Sequence, residues 1–219
     1  MSTRLPAQRT AFTLIELAVL VFILALVGLL LIPGLLSAKR RGLRATCWEN
    51  LKQVGLSYRT WSLDSTDRYP QGFDVTVGGS REWLFAGQLY LHFRTMSNEL
   101  STPKILVCPA DKEKQPSDSF ANGFSNSNVS YFASLDASEQ FPQVILSGDR
   151  NLAVAGQAAA AGNLVLTTNP PVPLSWSKSI HHSCGIVGLA DGSVHLLDLK
   201  GLPAAVLNQG IATNRLVLP

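Results

Sequence analysis

Hydrophobic positions are spread very unevenly along this chain. From Leu17 to Leu36, twenty consecutive residues carry no polar side chain, and between Thr10 and Ala38 the only charged residue is Glu16. At about 1.5 Å per residue, a helix of that length crosses a hydrocarbon core of roughly 30 Å. A buried core helix this apolar would need a larger protein around it. The apolar region of a secretory signal is usually about 7–15 residues long and ends at a small-residue cleavage site, and no such site follows this run. The pattern predicts a membrane-inserted helix, with its span at about residues 14–36.

After the span the pattern changes. Leu43, Cys47, Leu51, Val54, Tyr58 and Trp61 recur every three or four residues, while Arg40, Arg44, Glu49, Lys52, Gln53 and Arg59 fall elsewhere. That is one apolar stripe on a 3.6-residue period. A single helix over 12–63 is expected, apolar all round in its first half and amphipathic in its second. Asp64-Ser65-Thr66-Asp67 reads as its stop. Residues 64–219 then form one head domain of ordinary size.

Gly, Pro, Asn and Ser punctuate the head into short elements. Ser80 to Phe93 reads as a short helix capped by Ser80, with Trp83, Gly87 and Leu91 on one face. Val129–Leu135, Gln143–Ser147 and Leu164–Thr167 read as strands, and Ala155–Gly162 as a loose small-residue loop. Ile186 to Leu197 reads as a β-hairpin with Asp191-Gly192 as a two-residue turn. That register sets Leu189 opposite Val194 and Val187 opposite Leu196 on one half-buried face. The fold class is therefore α+β: a long N-terminal helix, membrane-inserted in its first half, packed on a C-terminal head with a small antiparallel sheet.

Composition narrows the function. Of 219 residues 46% are hydrophobic and only 15% charged, which excludes a disordered charged tail or a charged coiled coil. A net charge of +3 with no basic, aromatic-interleaved stripe argues against a nucleic-acid partner. Arg4 and Arg9 precede the span, whereas Lys39, Arg40, Arg41 and Arg44 follow it. Taken alone, the positive-inside count would leave the head in the cytoplasm.

A more specific signal opposes that count. Ala11-Phe12-Thr13-Leu14-Ile15-Glu16-Leu17, behind a short basic leader, resembles the class III signal of type IV pilins and type II secretion pseudopilins. The resemblance implies a leader over residues 1–11, removed by a prepilin peptidase between Ala11 and Phe12, and N-methylation of Phe12. It makes Glu16 the fifth mature residue, with an assembly role. Pro33 becomes the twenty-second, where many family members carry a helix-breaking proline. The family usually has Gly before the cut; Ala11 here implies slower processing. A carboxylate in a membrane helix costs about 2.5–3.5 kcal/mol and needs a partner. Pairing of Glu16 with the Phe12 amine of a neighbouring subunit would set the axial register of a fibre. Pro33 beside Gly34 marks a kink or a locally melted turn.

Further segments resemble a large subgroup of the same family. They are the stretch from Cys47 to Gln53, Cys108-Pro109-Ala110-Asp111, Gly148-Asp149-Arg150-Asn151, and an H-x9-DG motif formed by His181 with Asp191-Gly192. The family implies a pilin-like fold and a structural subunit of a type II secretion pseudopilus or related fibre, not an enzyme. Its partners would be the peptidase, other pilin-like subunits, the inner-membrane assembly machinery and the bilayer. The subunit would cross the bacterial inner membrane once, with its head in the periplasm. The reading from a different class is a membrane-anchored periplasmic binding domain, metal-dependent in one form.

No zinc-protease motif, nucleophile elbow or phosphate loop occurs. His181, His182, Cys184, Asp191 and His195 are dense enough to raise a metal site, with structural polar residues as the plainer account. No cofactor is required, and calcium is the metal considered, with Asp149 and Asp191 as its first candidate oxygen ligands. In an oxidising compartment a Cys108–Cys184 bridge is one expectation and buried free thiols are the other.

Overall fold

The computed structural model describes residues 13–219. The chain divides into two compact units, Met1–Gly42 and Leu43–Pro219, and helix α1 (Leu14–Asp64) runs through both.

In the first unit α1 is bare. Leu14, Leu29 and Leu30 are 86%, 75% and 70% exposed, and no residue of the membrane-length window is buried. Among the described residues this is the one helix long and apolar enough to cross a membrane. Its start is a capping box. The Thr13 amide and hydroxyl both donate to Glu16 Oε2, at 2.8 and 2.7 Å, and the Glu16 amide donates back to Thr13 Oγ1 at 3.3 Å. Pro33 lies inside the helix, and the helical assignment is unbroken through Pro33 and Gly34. Of the kink or melted turn expected there, the unbroken helix excludes the melted turn, and the Ser37 hydroxyl bonds the Gly34 carbonyl at 2.8 Å.

In the second unit the amphipathic half of α1 is a core helix. Cys47, Leu51, Val54 and Tyr58 are buried, as the stripe requires, and α1 ends at Asp64 where Thr66 and Asp67 turn to positive φ. Helices α2 (Arg81–Phe85), α3 (Leu89–Thr95) and α4 (Ser97–Leu100) follow. The single helix expected over 80–93 is broken because Gly87 takes φ +70°. Leu84, Leu89, His92 and Phe93 are the residues α2 and α3 bury, rather than Trp83 and Leu91. Ser80 makes no cap bond there; its hydroxyl goes to His92.

Nine strands follow: β1 (Tyr131–Ser134), β2 (Ile145–Asp149), β3 (Leu152–Val154), β4 (Gln157–Ala158), β5 (Gly162–Thr167), β6 (Leu174–Trp176), β7 (Gly185–Leu189), β8 (Val194–Leu197) and β9 (Thr213–Leu218). Helix α5 (Gly201–Leu207) lies between the last two. The large sheet runs β5-β9-β1-β2-β7-β8 and the small one β4-β3-β6, with every pairing antiparallel.

Strands β1, β2 and β7 are buried on both faces, and strand alternation divides their side chains between two cores. Tyr131, Ala133, Leu146, Ile186 and Val217 pack with Cys47, Leu51, Val54 and Tyr58 of α1. Phe132, Ile145, Val187, Leu216 and Leu218 pack on the other side with Leu152, Trp176, Leu202 and Val206. The sheet is thus a middle layer between α1 and a cover of β3, β6 and α5. Gly185 permits that cover: a Cβ there would come within 2.4 Å of the Trp176 ring.

The hairpin forms one residue out of the expected register. Gly188 faces Val194 and Val187 faces His195. Its loop has three residues, not two. The Gly192 amide bonds the Leu189 carbonyl, the Leu189 amide bonds the Ser193 carbonyl, and Gly192 sits at φ +84°. This is a type I turn closed by a glycine bulge, the next most common hairpin loop after the two-residue turn. The slip separates Leu189 and Val194 onto opposite faces.

Candidate functional site

Four polar side chains meet beneath the amphipathic half of α1. Cys47 comes from α1, Cys108 from the loop after Leu106, Asp149 from the end of β2 and His181 from the loop before β7. All four are buried, and their ligand-type atoms lie within 4.8 Å of one another. Cys47 and Cys108 are joined as a disulfide, their Cα atoms 5.0 Å apart, and Cys184 is free. This corrects the Cys108–Cys184 expectation. The helix stripe had claimed Cys47 for packing, but the stripe also carries it to the loop of Cys108. Cys184 instead donates from Sγ to the His181 carbonyl at 2.8 Å.

The cluster is tightly placed. His181 Nε2 stands 3.4 Å from Cys108 Sγ and 3.5 Å from Asp149 Oδ2. Asp149 Oδ1 is 3.5 Å from Cys47 Sγ, and Asp149 Oδ2 accepts the Ile186 amide at 2.7 Å. Tyr131 Oη lies 3.3 Å from Cys47 Sγ. Burial drives the electrostatics. Desolvation raises the Asp149 carboxyl to about 7, against the opposing Ile186 amide. It lowers His181 to about 4, helped by the charges of Arg44 and His182. Each group is pushed toward neutrality, as expected where a lone charge would be costly.

The H-x9-DG motif has a spatial meaning. His181 stands before β7 and Asp191-Gly192 turns the chain after it. The nine-residue spacer is therefore one strand and its approach. The far end also meets α1: Arg59 Nη1 donates to the Asp191 carbonyl at 2.8 Å, and Gly192 packs on Gly55. Asp191 and Asp149 sit at opposite ends of the β2–β7 pair, where Ile145 faces Leu189 and Ile186 bonds Asp149. They cannot share a calcium ion. His195 is exposed on β8 beside Ser193, and His182 is not part of the cluster.

Sequence reading missed a second buried group. His92 is fully buried, with Nε2 2.5 Å from Tyr58 Oη and Nδ1 2.7 Å from Ser80 Oγ. Desolvation lowers its pKa to about 3 and raises that of Tyr58 well above the ordinary tyrosine value. Tyr58 on the apolar stripe was the one available signal.

Glu16 is exposed and engaged by Thr13, as described above. Ala11 and Phe12, the expected cleavage and methylation positions, lie outside the described residues. A comparison with protein-family models, curated proteins and solved structures finds no match to this chain.

Proposed function

We propose that the chain is a structural subunit of a type II secretion pseudopilus or a related type IV pilus-like fibre. The observation that carries this reading is the FTLIEL run behind a basic leader, joined to a helix whose first half is apolar on every side and unburied. Such a helix must be covered, first by lipid and then by the same helix of other subunits. In this reading the peptidase cuts after Ala11, leaving 16 basic and 15 acidic residues. The inner membrane holds the helix, the head lies in the periplasm, and the assembly machinery transfers the subunit into a fibre.

Mass spectrometry of the native amino terminus tests it. The expected mature chain begins with N-methylated Phe12. An intact leader, or cleavage beyond Leu36, overturns the reading.

The buried Cys-Asp-His cluster favours a second reading, a membrane-anchored periplasmic binding domain. Such an anchor needs neither a processable leader nor Glu16, so the same measurement separates the two.

A further inference from the structure

We propose that the side chains around the Cys47–Cys108 disulfide form a redox-gated zinc site: a disulfide when oxidised, and a tetrahedral Cys47-Cys108-Asp149-His181 site for one zinc ion when reduced. This stands independently of the fibre reading.

The spacing supports it. Zinc bonds of about 2.0–2.3 Å imply ligand–ligand edges of roughly 3.3–3.8 Å in a tetrahedron. Cys108 Sγ lies 3.4 Å from His181 Nε2, which lies 3.5 Å from Asp149 Oδ2, while Cys47 Sγ is 3.5 Å from the other carboxylate oxygen, Oδ1; one ligand-type atom from each of the four residues falls within 4.8 Å of the rest. The two sulfurs are too close, because they are bonded. Each would need to swing by roughly 1 Å to complete the figure. Two thiolates and an imidazole select zinc, whereas calcium takes six to eight oxygens, which these residues do not supply.

The surroundings fit a metal. The Ile186 amide fixes one Asp149 oxygen and Tyr131 Oη sits against Cys47, the outer bonds that orient ligands. Two thiolates, one carboxylate and Zn2+ leave a net charge of −1. Arg44 is a nearby cation, close enough for its charge to act on His181 and Cys184, and the nearby anion Asp111 is paired with Arg150. The buried Arg44 Nε has no hydrogen-bond partner.

The chemistry balances. A dithiol reductant gives two electrons and two protons to the Cys47–Cys108 bond, becoming a disulfide itself and leaving two thiols. Zinc then displaces both thiol protons and forms two Zn–S bonds. Before exposure to an oxidising compartment, zinc would hold α1 to the loop of Cys108; a disulfide oxidant would then take two electrons from the two thiolates, becoming a dithiol itself, as the Cys47–Cys108 bond forms and the zinc ion is released.

The test uses the full chain in detergent, reduced with a phosphine, desalted under argon and titrated with cobalt(II). One equivalent should bind with thiolate charge-transfer and intense tetrahedral visible bands, bleached by one equivalent of zinc. The oxidised chain should show none. Cys184→Ser should leave the bands unchanged. Asp149→Asn and His181→Gln should each weaken binding at least about tenfold and alter the spectrum. A reduced, folded chain without tetrahedral bands overturns the proposal, as do bands unchanged in both of those variants. If reduction unfolds the head, zinc must restore its far-ultraviolet circular dichroism; failure to do so also overturns it.

Discussion

Thr13 and Glu16 bond each other reciprocally at the start of α1, so the carboxylate singled out for a fibre partner already serves its own helix. The two roles can be separated chemically. Gln at the third helical position keeps a capping box, whereas Leu does not. A positive amine on a neighbouring subunit, however, needs the negative charge that Gln lacks.

Glu16→Gln should therefore leave the helix start and membrane insertion as they are, and lower sheared-fibre yield nearly as far as Glu16→Leu. Fibre yield is measured against total membrane-bound mature protein. Normal fibres from the Gln variant with failure of the Leu variant would assign Glu16 to capping alone.

The disulfide closes a loop across 61 residues of sequence. Loop-closure entropy for that length corresponds to about 4 kcal/mol. Paired replacement Cys47→Ser and Cys108→Ser should cost stability of that order, read as a shift of the denaturation midpoint in oxidising buffer. Cys184→Ser should stay within about 1 kcal/mol, because it removes one half-buried thiol bond to a carbonyl. Equal losses would mean that Cys184 takes part in the bridge.

The architecture was readable in the residues wherever one periodicity acted alone. The stripe from Cys47 to Tyr58 gave the buried face of α1, and β1, β2 and β5 were found because their β-branched and aromatic residues stand between turn formers. Strands β3, β4, β6 and β9 carry no such signal, and β4 forms inside the segment Ala155–Gly162 that reads as a loose loop. Their order is set by partners distant in sequence, such as Leu152 opposite Trp176. The candidate site failed for the same reason. Cys47, Cys108, Asp149 and His181 are spaced by 61, 41 and 32 residues, so no local spacing announces them. The hairpin was found in place but slipped, since Asp-Gly suits both a two-residue turn and a glycine-bulge loop.

His92 supplies a pH dependence with a definite sign. Its folded pKa lies near 3, below the ordinary 6.5, so the unfolded chain binds the extra proton between those values. The stability contributed by the neutral ring is complete above pH ~6.5 and is lost as pH falls toward 3. The loss approaches about 1.4 kcal/mol per pH unit within that window. His92→Gln cannot titrate and should flatten the curve there while lowering stability at pH 7 through imperfect bonds to Tyr58 and Ser80. The measurement is denaturant stability of both proteins from pH 7 to 4, and the difference between the curves isolates His92. Parallel curves would show that the ring is already protonated in the fold or reached by solvent.

The hairpin register gives the sharpest test of the head. A two-residue turn would place Val187, Leu189, Val194 and Leu196 on one half-buried face, so that Asp at Leu189 or at Leu196 would be similarly damaging. In the observed register Leu189 packs with Val187, Ile145 and Leu202 at 7% exposure, while Leu196 is 47% exposed on edge strand β8. Leu189→Asp buries an unpaired carboxylate and should cost roughly 3–5 kcal/mol or prevent folding. Leu196→Asp should cost less than about 1 kcal/mol, because its carboxylate stays in water. Gly192→Ala should fall between them at about 1 kcal/mol, since φ +84° is unfavourable for a residue with a Cβ and the nearest atom is the flexible Arg59 Cδ at 3.2 Å. Stability of the full chain in detergent, followed by near-ultraviolet circular dichroism of its Trp and Tyr residues, orders the three. Comparable losses from Leu189→Asp and Leu196→Asp would restore the two-residue turn and return Val194 to the face of Leu189.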